Sequence, residues 1–192
     1  MQPMSPYLSA GSKRLLDLSF TLLISPFAII AFLLGVLLVF LTSGRPVFFK
    51  QERVGMDGNA FIMFKIRTLR NGFLSKPGSE HAANDITLIG QFLRKTRIDE
   101  IPQIFNILKG DMSWVGPRPE VAFYYERFQS LDARFEGRLR AKPGITGLAQ
   151  INNPNATPSE NLEKLEFDLK YIESANFGLD VKILIKSFLV IW

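Results

Sequence analysis

Asp99 and Glu100 follow Arg94, Lys95 and Arg97 within a few residues, and Pro102 and Gly110 bracket a helix that should begin close to Asp99. Cations and the positive end of a helix both favour an ionised carboxylate. An ionised, positioned aspartate can act as a nucleophile towards phosphorus or as a ligand for a hard cation such as Mg²⁺. The neighbouring cations suit a phosphoryl electrophile. Adjacent helical residues diverge by about 100°, so the pair need not form the facing carboxylates of a glycosidase. The same two side chains would also serve as plain capping and dipole partners of a first turn, and their spacing alone does not separate the two uses.

A second candidate is Gly116-Pro117-Arg118-Pro119, in which two prolines restrict the backbone and so fix where the guanidinium points. Arginine binds phosphate in bidentate fashion. Lys65 and Arg67 end a stretch read as a strand, whose alternation puts both on one side. With Arg94 and Arg118 they are predicted to line a pyrophosphate pocket. Composition removes other chemistries. Without cysteine there is no disulfide, thiolate metal site or cysteine nucleophile, and the single histidine, His81, lies in a polar stretch (75–85) read as an exposed loop. A net charge of +5 suits an anionic partner, whether nucleic acid, a lipid surface or a small phosphate-bearing substrate. Nucleic acid is disfavoured, because the aromatic residues are spread through apolar segments and the chain is tied to a membrane.

The elements that must position these residues begin with an almost continuously apolar run from Leu15 to Leu41. It is longer than a signal-peptide core and lacks a small-residue cleavage site after it. Pro26, preceded by Ser25, removes a backbone donor and predicts a sharp bend. The arms on either side would be about 16 and 24 Å long, each short of a hydrocarbon core of roughly 30 Å. Lys13 and Arg14 precede the run and Arg45, Lys50 and Arg53 follow it, which asks for both ends on the cytoplasmic side. A re-entrant helix broken at Ser25-Pro26 meets both conditions; a Pro-kinked crossing helix is the alternative. At 192 residues the chain holds one catalytic domain plus this membrane element, divided as 1–45 and 46–192.

Past the apolar run, Val47 to Arg53 and Phe61 to Arg67 flank Gly55-Met56-Asp57-Gly58-Asn59, a hairpin signature. Ile86 to Lys95 is predicted as a short helix, Val121 to Arg140 as another, and Lys142 to Gly147 as a rigid turn. Asn161 to Ala175 is amphipathic. Leu179 to Trp192 is apolar over most of its circumference, with Lys182 and Lys186 on one face, as expected of a helix lying in the membrane interface. The fold class is α+β, mainly helical, with a small hairpin and interfacial helices.

The stretches KRLLDLSFTLLISP, QERVG, FKIRTL, LIGQFLRKTRIDEIPQIFNILKGDMSWVGPRP and KPGITGLAQIN resemble the bacterial sugar transferase family, specifically its small monotopic polyprenyl-phosphate phosphoglycosyl transferases. The resemblance runs from Lys13 onward, and the central block is its most specific part. It implies transfer of a sugar 1-phosphate from a UDP-sugar to undecaprenyl phosphate at the cytoplasmic face of the bacterial inner membrane, at the start of glycoconjugate or exopolysaccharide synthesis. It also implies a ping-pong mechanism, in which Asp99 takes the sugar phosphate covalently and UMP leaves. Glu100 would ready the acceptor as a base, Mg²⁺ would lie at Asp99, and Lys65, Arg67, Arg94 and Arg118 would hold phosphates. Ser25-Pro26 would be the re-entrant break, phospholipids the surrounding partner, and a homodimer is compatible with the resemblance. Asn152-Asn153-Pro154-Asn155 stands where relatives commonly carry Gly-Arg-Asn, which points to a different donor choice. A catalytically silent scaffold of the same fold would not need Asp99, Glu100 and the cations together.

Overall fold

The computed structural model describes residues 3–71, 85–153, 162 and 164–191. His81, Pro154, Asn155 and Trp192 lie outside them. The longest element, α1 (Gly11–Ser43), runs as helix straight through Pro26, with the Ser25 hydroxyl donating to the Leu22 carbonyl at 2.9 Å. The two arms expected from Ser25-Pro26 are thus joined in one helical segment of 33 residues, about 50 Å along its path. A proline inside a helix removes one donor without having to end the helix.

Burial along α1 follows one stripe. Lys13, Asp17, Thr21, Gly35 and Val39 are buried, whereas Leu22, Leu23, Phe27, Ile30 and Leu33 are more than half exposed. The stripe is polar at its start. Lys13 Nζ donates to Asp180 Oδ2 at 2.6 Å and to the Val115 carbonyl at 3.2 Å, and Asp17 Oδ1 accepts from Ser113 Oγ at 2.9 Å and the Trp114 amide at 3.1 Å. Tyr171 and Tyr7 donate to Asp180 at 2.8 and 3.1 Å. Arg14 donates to the carbonyls of Ile107 and Leu108. Lys13 and Arg14, read from the sequence as flanking charges, are therefore built into the protein. At the far end Gly35 approaches so closely that a Cβ there would lie 3.0 Å from the side chains of Ile66 and Ile98. The core around Met63, Ile107 and Trp114 takes in Tyr7, Phe20 and Ile24, so packing continues across the expected division at residue 45.

The hairpin forms as expected: β1 (Phe48–Val54) pairs antiparallel with β2 (Ala60–Ile66), Phe48 opposite Ile66 and Val54 opposite Ala60. Next come α2 (Leu88–Lys95), a 3₁₀ segment (Ile98–Gln103) and α3 (Ile104–Lys109), which stops at Gly110 with φ 96°. Pro102 falls in the 3₁₀ segment ahead of α3, where its missing N–H matters least. The single helix expected over Val121 to Arg140 is instead α4 (Ala122–Leu131) and a 3₁₀ segment (Ala133–Arg140), parted at Asp132, whose carboxylate caps the second piece by accepting from the Arg134 amide. Asp competes for backbone donors in this way and so starts helices better than it continues them. The turn at Lys142 to Gly147 contains β4 (Gly144–Thr146), which pairs in parallel with β3 (Ser113–Val115). A three-residue strand leaves too short a pattern to read. The remaining helices are α5 (Leu148–Asn152), α6 (Leu165–Ser174) and α7 (Phe177–Ile191).

Lys13→Met would leave Asp180 and Asp17 buried without their cation, a change that costs about 3–5 kcal/mol. The expected result is a fall in Tm of roughly 6–20 °C, measured by thermal unfolding in detergent. An unchanged Tm would show that the pair does not hold α1 in place.

Candidate active site

Asp99 and Glu100 open the 3₁₀ segment immediately after Arg97, a non-glycine residue with φ 56°. This left-handed conformation costs about 1–2 kcal/mol, and it turns the chain from α2 into the carboxylate pair. Lys65 follows Phe61 and Met63 on one face of β2 and reaches this turn: its Nζ donates to Glu100 Oε1 at 2.7 Å. Arg118 Nη2 donates to the same oxygen at 3.1 Å, and Arg97 Nη1 stands 4.0 Å away. Arg94 is aimed by its Nε, which donates to Thr68 Oγ1 at 2.9 Å.

The Arg118 loop is held at successive carbonyls. Pro117 accepts from the Gly144 amide at 2.9 Å, Arg118 from Arg138 Nη2 at 2.8 Å, Pro119 from Arg53 Nη1 at 3.1 Å and Glu120 from the Val54 amide at 2.9 Å. Gly116 has no room for a side chain, since a Cβ there would lie 2.2 Å from the Lys142 carbonyl. Arg138 is itself fixed by Asp168 at 2.8 Å and by the ring of Phe135. Two prolines stiffen this loop, as the sequence suggests, but its direction is set by Arg53, Arg138 and β4.

Arg67 is placed differently from the other expected phosphate-holding cations. It lies one residue beyond β2, where strand alternation no longer directs the side chain. Its guanidinium donates to the Ser43 and Gly44 carbonyls at 2.6 and 3.2 Å and to Asn71, closing the end of α1. Lys65, Arg94, Arg97 and Arg118 are the cations that surround the pair.

The two carboxylates titrate in opposite directions. Burial pushes Asp99 up from 3.8 to about 6, with Glu100 adding to the rise and Lys65, Arg94 and Arg97 opposing it. The ionised form expected of Asp99 is thus less favoured than its cationic neighbours suggest, because desolvation outweighs them. For Glu100 burial also works upward, but Lys65, Arg118 and Arg97 together outweigh it and hold the carboxylate well below its usual range. Burial lowers the Lys65 ammonium despite Glu100.

Asp99 is 6% exposed, and its Oδ1 has no hydrogen-bond partner among the described residues. Such an oxygen is available to a ligand. No three acidic or histidine side chains among the described residues converge as a ready-made metal cage. A Mg²⁺ ion, which is commonly held by one or two carboxylates together with substrate phosphates and water, fits this donor set, with Asp99 as the residue to hold it.

Beside the pair opens a cavity of about 350 Å³. Arg94, Arg97, Glu100 and Arg118 line it together with apolar residues of α1 (Phe20, Ile24, Ala28) and of α7 (Leu184, Phe188). Gln150 also lines it, and neither end of its amide has a partner among the described residues. Gln150, Thr68 and Arg53 fall within the stretches KPGITGLAQIN, FKIRTL and QERVG, but neither residue type nor spacing marks them, or Arg138, as belonging to a site. Arg97 is legible as part of the basic cluster.

Because folding raises the Asp99 pKa, it favours the neutral acid; this contribution is complete below about pH 3.8 and is lost as pH rises through about 6. Asp99→Asn is therefore expected to stabilise the protein by up to ~3 kcal/mol at pH 8 and by only ~1 kcal/mol at pH 4.5. Thermal unfolding at the two pH values checks this, and a variant less stable than the parent at pH 8 would contradict it.

The description "Bacterial sugar transferase" belongs to a family model that matches residues 8–192. The uncharacterized sugar transferase EpsL of Bacillus subtilis is 41% identical over 172 residues, covering 90% of this chain and 83% of that protein. The UDP-glucose:undecaprenyl-phosphate glucose-1-phosphate transferase of Escherichia coli is 41% identical over 153 residues, covering 77% of this chain and 33% of its own length. The UDP-N-acetylgalactosamine-undecaprenyl-phosphate N-acetylgalactosaminephosphotransferase of Aeromonas hydrophila is 35% identical over 179 residues, covering 91% of this chain and 42% of its own. This chain thus spans most of EpsL and less than half of the other two.

Proposed function

Because this chain belongs to the bacterial sugar transferase family, we propose that it transfers a sugar 1-phosphate from a UDP-sugar to undecaprenyl phosphate and so starts the assembly of a glycoconjugate or exopolysaccharide. The observation that carries this reading is the buried Asp99 carboxylate, with one oxygen unpaired among the described residues, set among Lys65, Arg94 and Arg97 beside a cavity lined by both charged and apolar residues.

The reaction runs in two displacements. An Asp99 oxygen attacks the β-phosphorus of the UDP-sugar, and the bond to the bridging oxygen breaks with its electron pair leaving on UMP. An oxygen of undecaprenyl phosphate then attacks the same phosphorus and releases Asp99, giving the sugar diphosphate lipid. Arg94 and Arg118, held by Thr68 and Glu100, meet the equatorial charge of both transition states. Mg²⁺ held at Asp99 would supply charge neutralisation on the diphosphate.

Glu100 organises this site and is a poor base. A carboxylate bound by Lys65 and Arg118 holds a proton too weakly to collect one at neutral pH. A phosphate monoester, with a second pKa of about 6, is already mostly dianionic and needs little help.

The site belongs at the cytoplasmic face of the inner membrane, with α1 re-entrant. Both ends of α1 dock on the same body, the first through Lys13 and the last through Gly35, Val39 and Arg67, while Leu22, Leu23, Phe27, Ile29 and Ile30 on either side of Pro26 face outward. Exposed Leu88 and Phe92 of α2, Phe105 and Leu108 of α3, and Phe188 and Leu189 of α7, the last flanked by exposed Lys182 and Lys186, suit helices lying in the phospholipid interface.

Incubating the protein with Mg²⁺ and a panel of UDP-sugars, without acceptor, is expected to release UMP and add one sugar phosphate to the intact mass, with both signals lost in Asp99→Asn. UMP release without an adduct would replace the covalent step by direct transfer. Since the chain has no cysteine, Ser12→Cys and Lys50→Cys can each carry a unique thiol. Both are expected to react with an impermeant maleimide from the cytoplasmic side only, and reaction of Ser12→Cys from the opposite side would show that α1 crosses.

A further inference from the structure

Gln150 lies on α5, a short helix that packs against α7, and lines the cavity beside Glu100 and Arg118. Both its Nε2 and its Oε1 are buried without a partner among the described residues. A desolvated primary amide with neither end paired is costly and uncommon, so this one is open to a ligand. The other uncharged polar groups of the cavity are satisfied. Ser187 Oγ donates to the Ile183 carbonyl at 2.8 Å, which leaves the Thr146 hydroxyl to donate to Ser187 at 2.6 Å, and Trp114 Nε1 donates to Thr21 Oγ1 at 2.9 Å. Oε1 lies against the backbone, since a Cβ on Gly147 would come within 2.6 Å of it. Nε2 is therefore the terminus free to donate.

We infer that Gln150 receives the phosphate head of the polyprenyl acceptor, an inference that rests on the transferase reading above. The cavity walls decide between the two substrates. Besides charged residues they include Ile151, Leu184 and Phe188 and, from the apolar helix α1, Phe20 and Ile24. A UDP-sugar is polar along its whole length and gains nothing from such walls, whereas a polyprenyl phosphate joins an apolar chain to an anionic head. An uncharged donor binds that head without placing a further cation beside Lys65, Arg94, Arg97 and Arg118.

The two displacements can be measured separately. UMP release and adduct formation from the UDP-sugar, without acceptor, report the first; decay of the isolated adduct on adding undecaprenyl phosphate in detergent micelles reports the second. Gln150→Ala is expected to leave the first within about twofold and to lower the second by about 10- to 100-fold at sub-saturating acceptor, the size of one hydrogen bond to a charged group. Gln150→Glu, of the same shape but without the donor, is expected to lose at least as much. Adding UMP to the adduct reverses the first displacement and should proceed at the parental rate in both variants. Loss of the first displacement in both variants, or a parental acceptor dependence, overturns the inference. Failure of the parent protein to release UMP or form an adduct with any donor would instead overturn the covalent mechanism on which it rests.

Discussion

Glu100 binds Lys65 and Arg118 through one carboxylate oxygen, and that contact allows the site to exist. Collecting Lys65, Arg94, Arg97 and Arg118 around one buried turn sets cation against cation, and folding resists such an arrangement. An anion at its centre removes much of the repulsion and fixes where the guanidinium and ammonium groups stand. Asp99, one residue away, has no hydrogen bond to its Oδ1 among the described residues, and burial raises its pKa. Two adjacent carboxylates are thereby divided into one paired with cations and held ionised and one whose charge burial disfavours.

A similar division runs along α1. Its first turns are polar and buried against Asp180, Ser113 and Trp114, its middle is apolar and exposed, and its last turns are apolar and buried against Ile66, Leu93 and Ile98. One helix thus serves as core at both ends and as an exposed apolar surface between them. Phe20, Ile24 and Ala28 lie on the protein-facing side of that middle portion and wall the cavity. This long apolar helix is consequently part of the site.

What could be read beforehand depended on the range of the interaction. The hairpin, the helix ending at Lys95, the stop at Gly110 and the Asp99–Glu100 turn are local and were legible from alternation, glycine and proline. Arg118 was legible because two prolines flag it. Arg67 was not, since strand alternation ends at Ile66 and the acceptors of its guanidinium lie on the last turn of α1 and the residue after it. The break at Asp132 and the three-residue strands β3 and β4 depend on single capping and pairing contacts, and these have no periodic signature.

The sequence by itself determined the long apolar helix, the hairpin, the cation-flanked carboxylates and the family, because each is written in composition, period or contiguous motif. Only the tertiary structure decided which carboxylate is held ionised, which arginine supports a helix end, and that α1 and α7 wall the cavity. These depend on desolvation and on distances between residues far apart in the chain, such as Lys13 and Asp180 or Lys65 and Glu100. Residue type and spacing do not encode such distances, because burial and charge pairing arise only when the elements pack.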